Sequence, residues 1–295
     1  MRYELLVCDL DGTLLDASLV FEPALVAGLK RAVARGLQVS IATGRMPLAV
    51  EGYREELGIR TPLIYYNGAL LKDPVSGGAF LSHQLPRGIL ARAFQAFAHA
   101  PVHPLFFRDE QLYCLEISPD VRAFCDAERL HPHVVDDPGD FLELGAFVKG
   151  LFIGHPRDLT ALRQDLEALV GPDARLVRTA GRYLEMIPAK ASKGHALVEL
   201  ARHLDIALER VVAVGDQEND LEMIRVAGLG VAMPHAPDPV KAAADRVAPS
   251  AEEGGLLALF TEIMPDHFRD APSANTHDER SANAPAAREE TSCRG

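Results

Sequence analysis

The chain reads as an α/β protein in which a doubly wound, Rossmann-like parallel sheet is interrupted by an inserted α+β domain. Two observations predict this. Short β-rich runs at residues 4–10, 37–42 and 62–66 alternate with helical stretches at 23–34 and 47–57, the βαβαβ pattern of a parallel sheet. The alternation stops near residue 82 and resumes near residue 189, with a helix at 193–204, strands at 210–214 and 230–233, and helices at 220–227 and 239–246. The core is therefore expected at 1–81 and 189–264, with the insertion at 82–188.

The first strand ends in Cys8-Asp9-Leu10-Asp11-Gly12-Thr13. Successive strand side chains point to opposite faces, but a turn at Gly12 can bring Asp9 and Asp11 to one point at the carboxyl edge of the sheet. In open parallel sheets that edge is where ligands bind. The second strand ends in Ala42-Thr43-Gly44-Arg45, offering a hydroxyl and a close backbone N–H to an anion. Ala191-Ser192-Lys193-Gly194 opens a helix with an ammonium in its first turn, a site suited to phosphate. A third apolar strand, Val211 to Val214, runs into the acid cluster Gly215-Asp216-Gln217-Glu218-Asn219-Asp220.

Within the insertion, a helix at 87–98, strands at 104–107 and 111–117 joined by a polar turn, a strand at 147–153, a helix at 157–170 and a hairpin around Gly181 indicate an α+β domain rather than a helical lid. From residue 265 onward Asp, Glu, Arg, Ser, Ala and Pro replace the apolar pattern, so residues 265–295 are expected to be a disordered tail. The 295 residues, 48% hydrophobic, suffice for two cores. No apolar run reaches membrane-spanning length and the first residues pass straight into a strand, so a cytoplasmic location without membrane contact is expected. A net charge of −12 without a Lys/Arg-rich run disfavours nucleic acid as a partner. Cys8, Cys114, Cys125 and Cys293 lack paired metal spacing and read as reduced thiols. His103, His131, His133 and His155 read as loop histidines rather than a zinc site, and Phe106 and Phe107 as filling of the insertion's core.

In this order the four motif segments resemble the signature of the haloacid dehalogenase superfamily of phosphatases, most closely its Cof-type subfamily, which carries a large cap between the second and third motifs. The resemblance extends over roughly the first 260 residues and includes Tyr66-Asn67-Gly68-Ala69, Glu185-Met186-Ile187-Pro188 and Val231-Ala232-Met233. It implies hydrolysis of small phosphorylated metabolites through an aspartyl-phosphate. Asp9 would be the nucleophile, and Asp11 the acid that protonates the leaving oxygen and then deprotonates water. Mg²⁺ would be held by Asp9, the backbone carbonyl of Asp11 and the Asp216 carboxylate. Thr43, the Gly44 N–H, Lys193 and Asn219 would serve the phosphate, with Asn219 and Asp220 orienting Lys193 or a metal-bound water. One departure stands out: Pro234-His235-Ala236 replaces the usual Gly-Asn-Ala.

Each segment also has a plain structural reading. Thr43-Gly44 is a strand end, Lys193 a solvated helix residue, residues 216–220 an N-cap region, and Arg45 either a phosphate-steering group or half of a surface ion pair. Two other functions share features of the pattern. A phosphotransferase or mutase on the same fold would keep all four segments and hand the phosphoryl group to a hydroxyl. A signalling receiver domain also phosphorylates an Asp but needs neither the second acid nor the cap. The sequence leaves the substrate and the oligomeric state open.

Overall fold

The structure, a computed structural model, describes residues 3–269. In its first part, β1 (Leu5–Cys8), α1 (Pro23–Ala34), β2 (Gln38–Ile41), α2 (Pro47–Leu57) and β3 (Leu63–Tyr65) are followed by β4 (Leu70–Lys72) and β5 (Ala79–Ser82). The insertion contains α3 (Arg87–Phe97), β6 (Val102–Arg108), β7 (Gln111–Cys114), α4 (Pro119–Glu128), β8 (Pro132–Val134) and α5 (Pro138–Glu143). It continues through β9 (Lys149–Gly154), α6 (Pro156–Val170), β10 (Ala174–Ala180) and β11 (Tyr183–Pro188). The chain then forms α7 (Lys193–His203), β12 (Val211–Gly215), α8 (Leu221–Val226), β13 (Leu229–Ala232), α9 (Asp238–Ala243), β14 (Arg246–Val247), α10 (Gly255–Ile263) and α11 (Pro265–Phe268).

The parallel sheet has the order β14-β13-β12-β1-β2. Its interior strand β1, flanked by β12 and β2, is wholly buried, as a strand covered by helices on both faces must be. Leu5 pairs with Val211 on one side and Gln38 on the other, while Cys8 pairs with Val214 and Ile41. This level register ends three strands together, so the residues that follow them emerge at one edge. The chain leaves β1 toward β2 on one side and later returns to β12 on the other, which puts the topological switch point, where such sheets bind ligands, between β1 and β12.

The run at 62–66 is only marginally a member of this sheet. It meets β2 through one bridge, Ala42 to Ile64, and otherwise forms an antiparallel sheet β3-β4-β5. Tyr66, Asn67 and Gly68 take positive φ (52°, 55° and 91°) and turn the chain straight back. Gly68 is required twice over, since a Cβ there would lie 2.1 Å from the Ser192 carbonyl oxygen.

The insertion forms a six-stranded sheet, β10-β11-β9-β6-β7-β8. Strand alternation splits its side chains between two faces. Phe106, Phe152, Leu184 and Met186 pack with Phe97, Leu159, Leu162 and Leu166 of α3 and α6. Phe107, Leu151 and Ile153 join a cluster that continues through Val121, Cys125 and Leu130 into the parallel-sheet core. Three differences from the sequence reading follow. The helices α4 and α5, both Pro-initiated, are additional elements, α4 turning Val121, Phe124 and Cys125 to the core and α5 spanning only six residues; His103 and His133 lie in strands β6 and β8, where a neighbouring proline is tolerated; and Phe107, unlike Phe106, faces the parallel sheet. His155 lies outside the strands and helices, as expected, and caps α6 with its side chain.

The expected disordered tail does not begin at Pro265. Residues 265–268 form α11, and Phe268 is 1% exposed against Phe260, with ring centroids 5.2 Å apart. Arg35 Nη1 donates to the carbonyls of His267 (3.0 Å) and Arg269 (2.7 Å). One aromatic anchor outweighs a polar composition that averaging over a window sees as tail. The rest of that expectation, and Cys293, lie outside the described residues. Cys8, Cys114 and Cys125 are buried free thiols. Among the described residues no helix is long and apolar enough to cross a membrane. Phe268→Ala should destabilise the protein by about 3 kcal/mol in urea titration; a tail that merely brushes the surface would leave the midpoint unchanged.

Candidate active site

The level ends of β1, β2 and β12 bring the motif residues together. Asp9 N–H donates to the Val214 carbonyl at 2.8 Å, fixing the first residue after β1 against β12. Carboxylate oxygens of Asp9, Asp216 and Asp220 lie within 4.8 Å of one another, all three residues buried. Lys193, 1% exposed, inserts its ammonium among them, with Nζ 2.5 Å from Asp9 Oδ1 and 2.7 Å from Asp220 Oδ1. Ser192 caps α7 by accepting the His195 N–H, so the lysine leaves the first turn of a helix whose start is pinned by Gly68. Gly12, at φ +84°, passes so close to Asp216 that a Cβ would lie 2.7 Å from Oδ2.

Asp220 is fully engaged: Oδ1 holds Lys193, and Oδ2 accepts the N–H groups of Asp216 (2.9 Å) and Gln217 (3.0 Å). Asp216 accepts from the Gln217 amide (2.8 Å) and the Thr13 hydroxyl (3.3 Å). Burial, opposed by Lys193 and reinforced by Asp220 and Asp216, holds the Asp9 carboxyl well above the usual carboxylate range, and burial likewise raises Asp216. Burial alone would discharge Lys193, but the charges of Asp220 and Asp9 outweigh it and keep the amine protonated. One ammonium against three buried carboxylates leaves the site short of positive charge. An all-oxygen donor set with this deficit fits a hard divalent cation, with Asp9 and Asp216 as the carboxylates still free to ligate it.

Asp11 contributes no side-chain atom to that cluster. Both its oxygens accept from Arg45, whose Nη1 reaches Glu128 of α4 at 3.0 Å. Arg45 is therefore not half of a surface pair; its side chain is 9% exposed and ties the Asp11 loop of the core to α4 of the insertion. Thr43 is buried, its N–H donating to the Ile64 carbonyl and its Oγ1 accepting the Arg45 N–H at 3.1 Å. Asn219 makes no hydrogen bond to Lys193 among the described residues. It donates to Asn67 Oδ1 (2.9 Å), Asn67 donates to Glu185 Oε2 (2.7 Å), and Glu185 pairs with Lys149 (2.6 Å), whose Nζ also reaches the Gly44 carbonyl (2.9 Å). In the departing segment, Met233 N–H still bonds the Gly215 carbonyl at 3.0 Å, and His235 Nε2 lies 3.5 Å from Asp216 Oδ2.

Between the two sheets lies a cavity of about 340 Å³ with Asp9, Asp11, Arg45 and Asn219 on one side and Phe107, Leu151, Tyr183, Lys149 and Glu185 on the other. Asn67, Glu128, Lys149 and Glu185 carried no assigned role in the sequence. A signal was present for two of them: Lys149 and Glu185 are charges inside apolar strands, and such charges are buried only when paired.

Comparison with known proteins agrees with this geometry. Residues 6–260 match the model of a family described as haloacid dehalogenase-like hydrolases, and the chain belongs to that family. It is 30% identical over 237 residues to an HMP-PP phosphatase of Yersinia pestis, covering 79% of this chain and 85% of that one. Phosphatase YwpJ of Bacillus subtilis is 28% identical over 297 residues, covering 88% of this chain and all (100%) of the relative. A crystal structure of a haloacid dehalogenase-like hydrolase from Bacteroides thetaiotaomicron superposes with a TM-score of 0.81 at 25% identity, covering 89% of this chain and 100% of that one. The fold is thus that of a hydrolase core bearing a cap, and the chain is an enzyme of this class.

Lys149→Met, which strands the buried Glu185 carboxylate, should cost about 3–5 kcal/mol in chemical denaturation, and adding Glu185→Gln should recover part of it. Two losses that simply add would show that the pair is not coupled.

Proposed function

We propose that the chain is a Mg²⁺-dependent phosphatase that hydrolyses phosphate monoesters of small metabolites through an aspartyl-phosphate on Asp9. The observation that carries this reading is the buried, charge-deficient Asp9–Lys193–Asp220 cluster beside Asp216, opening into a cavity between core and cap. Asp9, Asp216 and the Asp11 carbonyl would hold the cation, which when bound neutralises charge on the phosphate oxygens.

In the first half, an Asp9 carboxylate oxygen bonds to phosphorus while the ester P–O bond breaks with its electron pair on the leaving oxygen, and Asp11 gives that oxygen a proton. In the second half, water attacks the acyl-phosphate, Asp11 takes the water proton, and phosphate leaves with the Asp9 carboxylate restored. Lys193, held as an ammonium, together with Thr43 and the Gly44 N–H, binds the non-bridging oxygens; Asp220 orients Lys193. Residues 82–188 act as the cap, so its walls select the organic part of the substrate: a sugar, a nucleoside or a phosphorylated cofactor. The HMP-PP phosphatase relative supports a small phosphorylated metabolite as the substrate without choosing among these. Catalysis in the cytoplasm without nucleic-acid or membrane partners belongs to the same reading.

Asp9→Asn should remove turnover on a panel of phosphorylated metabolites while leaving the circular dichroism spectrum unchanged; more than about a tenth of wild-type kcat, a difference of only about 1.4 kcal/mol, would rule out the covalent route. Chelation of Mg²⁺ should stop phosphate release without unfolding the chain, because an open carboxylate site adds little folding energy. Full activity in verified metal-free solution would overturn the metal assignment, and transfer to an added alcohol in preference to water would indicate a phosphotransferase.

A further inference from the structure

The guanidinium of Arg45 is shared by two carboxylates from opposite sides of the cavity. Nε donates to Asp11 Oδ2 at 2.8 Å and Nη2 to Asp11 Oδ1 at 2.5 Å, a bidentate pair, while Nη1 donates to Glu128 Oε2 at 3.0 Å. The Tyr53 ring supports the guanidinium carbon from 5.5 Å. Arg45 is thus held at all three of its nitrogens.

The two acids differ in what else holds them. The Asp11 side chain is 42% exposed and, among the described residues, has no other hydrogen-bond partner, so packing does not set its orientation and Arg45 does. Glu128 is the last residue of α4, and its side chain is 16% exposed. Its one ion pair among the described residues is with Arg45, which reaches it from the core, while the Lys149 ammonium acts on it from farther away. The contact exists only while the cap sits over the parallel sheet.

We infer that Arg45 is the positioning residue for the acid–base Asp11, and that Glu128 makes this positioning depend on cap closure by fixing the third nitrogen of the same guanidinium. With the cap seated, the fork is anchored at both ends and aims Asp11 into the cavity. With the cap withdrawn, Arg45 loses its second anchor, and Asp11 loses a fixed orientation toward the ester oxygen. The cap then licenses proton transfer to the leaving group as well as choosing the substrate. This rests on the phosphatase reading above, since it concerns the step in which Asp11 protonates the departing oxygen as the P–O bond breaks.

The test compares two esters with the same ring and different demand for an acid, phenyl phosphate and dinitrophenyl phosphate. Because kcat/KM reports only the steps through release of the phenol, it isolates the protonation half of the cycle. Asp11→Asn should depress phenyl phosphate far more than dinitrophenyl phosphate. Arg45→Lys, which keeps the charge but loses the fork, should change that ratio in the same direction by about tenfold, and Glu128→Gln by a smaller factor. Neither should change the ratio further in an Asp11→Asn background, because both act through Asp11. Equal losses on the two esters, full additivity with Asp11→Asn, or a Glu128→Gln variant with the wild-type ratio would overturn the inference while leaving the phosphatase reading intact. A wild-type chain that cleaves neither ester would overturn that reading, and the inference with it.

Discussion

Three carboxylates and one ammonium share a buried volume at the end of β1, and this charge imbalance organises the rest of the site. Burying an ion costs several kcal/mol even after relaxation, so each of these groups must be held by geometry that outlasts thermal motion. The structure supplies it from the sheet: β1 pairs in level register with β2 and β12, so Asp9 and Asp216 leave the sheet at the same height and Thr43 follows the end of β2. Lys193 is added from a helix whose start abuts Gly68, where a side chain has no room. Asp220 then spends both oxygens, one on Lys193 and one on backbone N–H groups. What is left over is negative charge on Asp9 and Asp216.

The contact between the two sheets is polar where it meets the site and apolar around it. Lys149, Glu185 and Asn67 make a buried chain from the cap to Gly44 and Asn219, and Arg45 makes a second from Asp11 to Glu128. Hydrophobic surfaces can slide by fractions of a residue at little cost, whereas a bidentate guanidinium or a lysine shared between a carboxylate and a carbonyl tolerates one arrangement. Placing the polar links at the loops that carry Asp11 and Gly44 means that cap position and loop geometry are set together.

Much of this was legible in the sequence because it depends on local signals. Alternating apolar runs announce the parallel sheet, and acids, a hydroxyl and a lysine at strand ends and a helix start announce the site. The features that could not be read are those in which distant residues share one interaction. Arg45 chooses between phosphate, solvent and a carboxylate 83 positions away only once the cap is folded. Asn219 turns to Asn67 rather than Lys193 because the turn at 66–68, with its positive φ values, brings Asn67 to it. The six-residue helix α5 and the anchor Phe268 were hidden for a different reason: too few residues to form a period or shift a composition average.

The central claim is that the site's charge deficit is made to be filled by a divalent cation. It is tested most directly by thermal unfolding of the wild type and of Asp216→Asn, each with Mg²⁺ and with a chelator. The account predicts that Mg²⁺ raises the wild-type Tm and leaves that of Asp216→Asn unmoved, since a ligand that binds only the folded state stabilises it by mass action. In chelator the variant should be the more stable of the two, because it removes an uncompensated buried charge. A wild type indifferent to Mg²⁺, or a variant that is less stable than wild type in chelator, would contradict it.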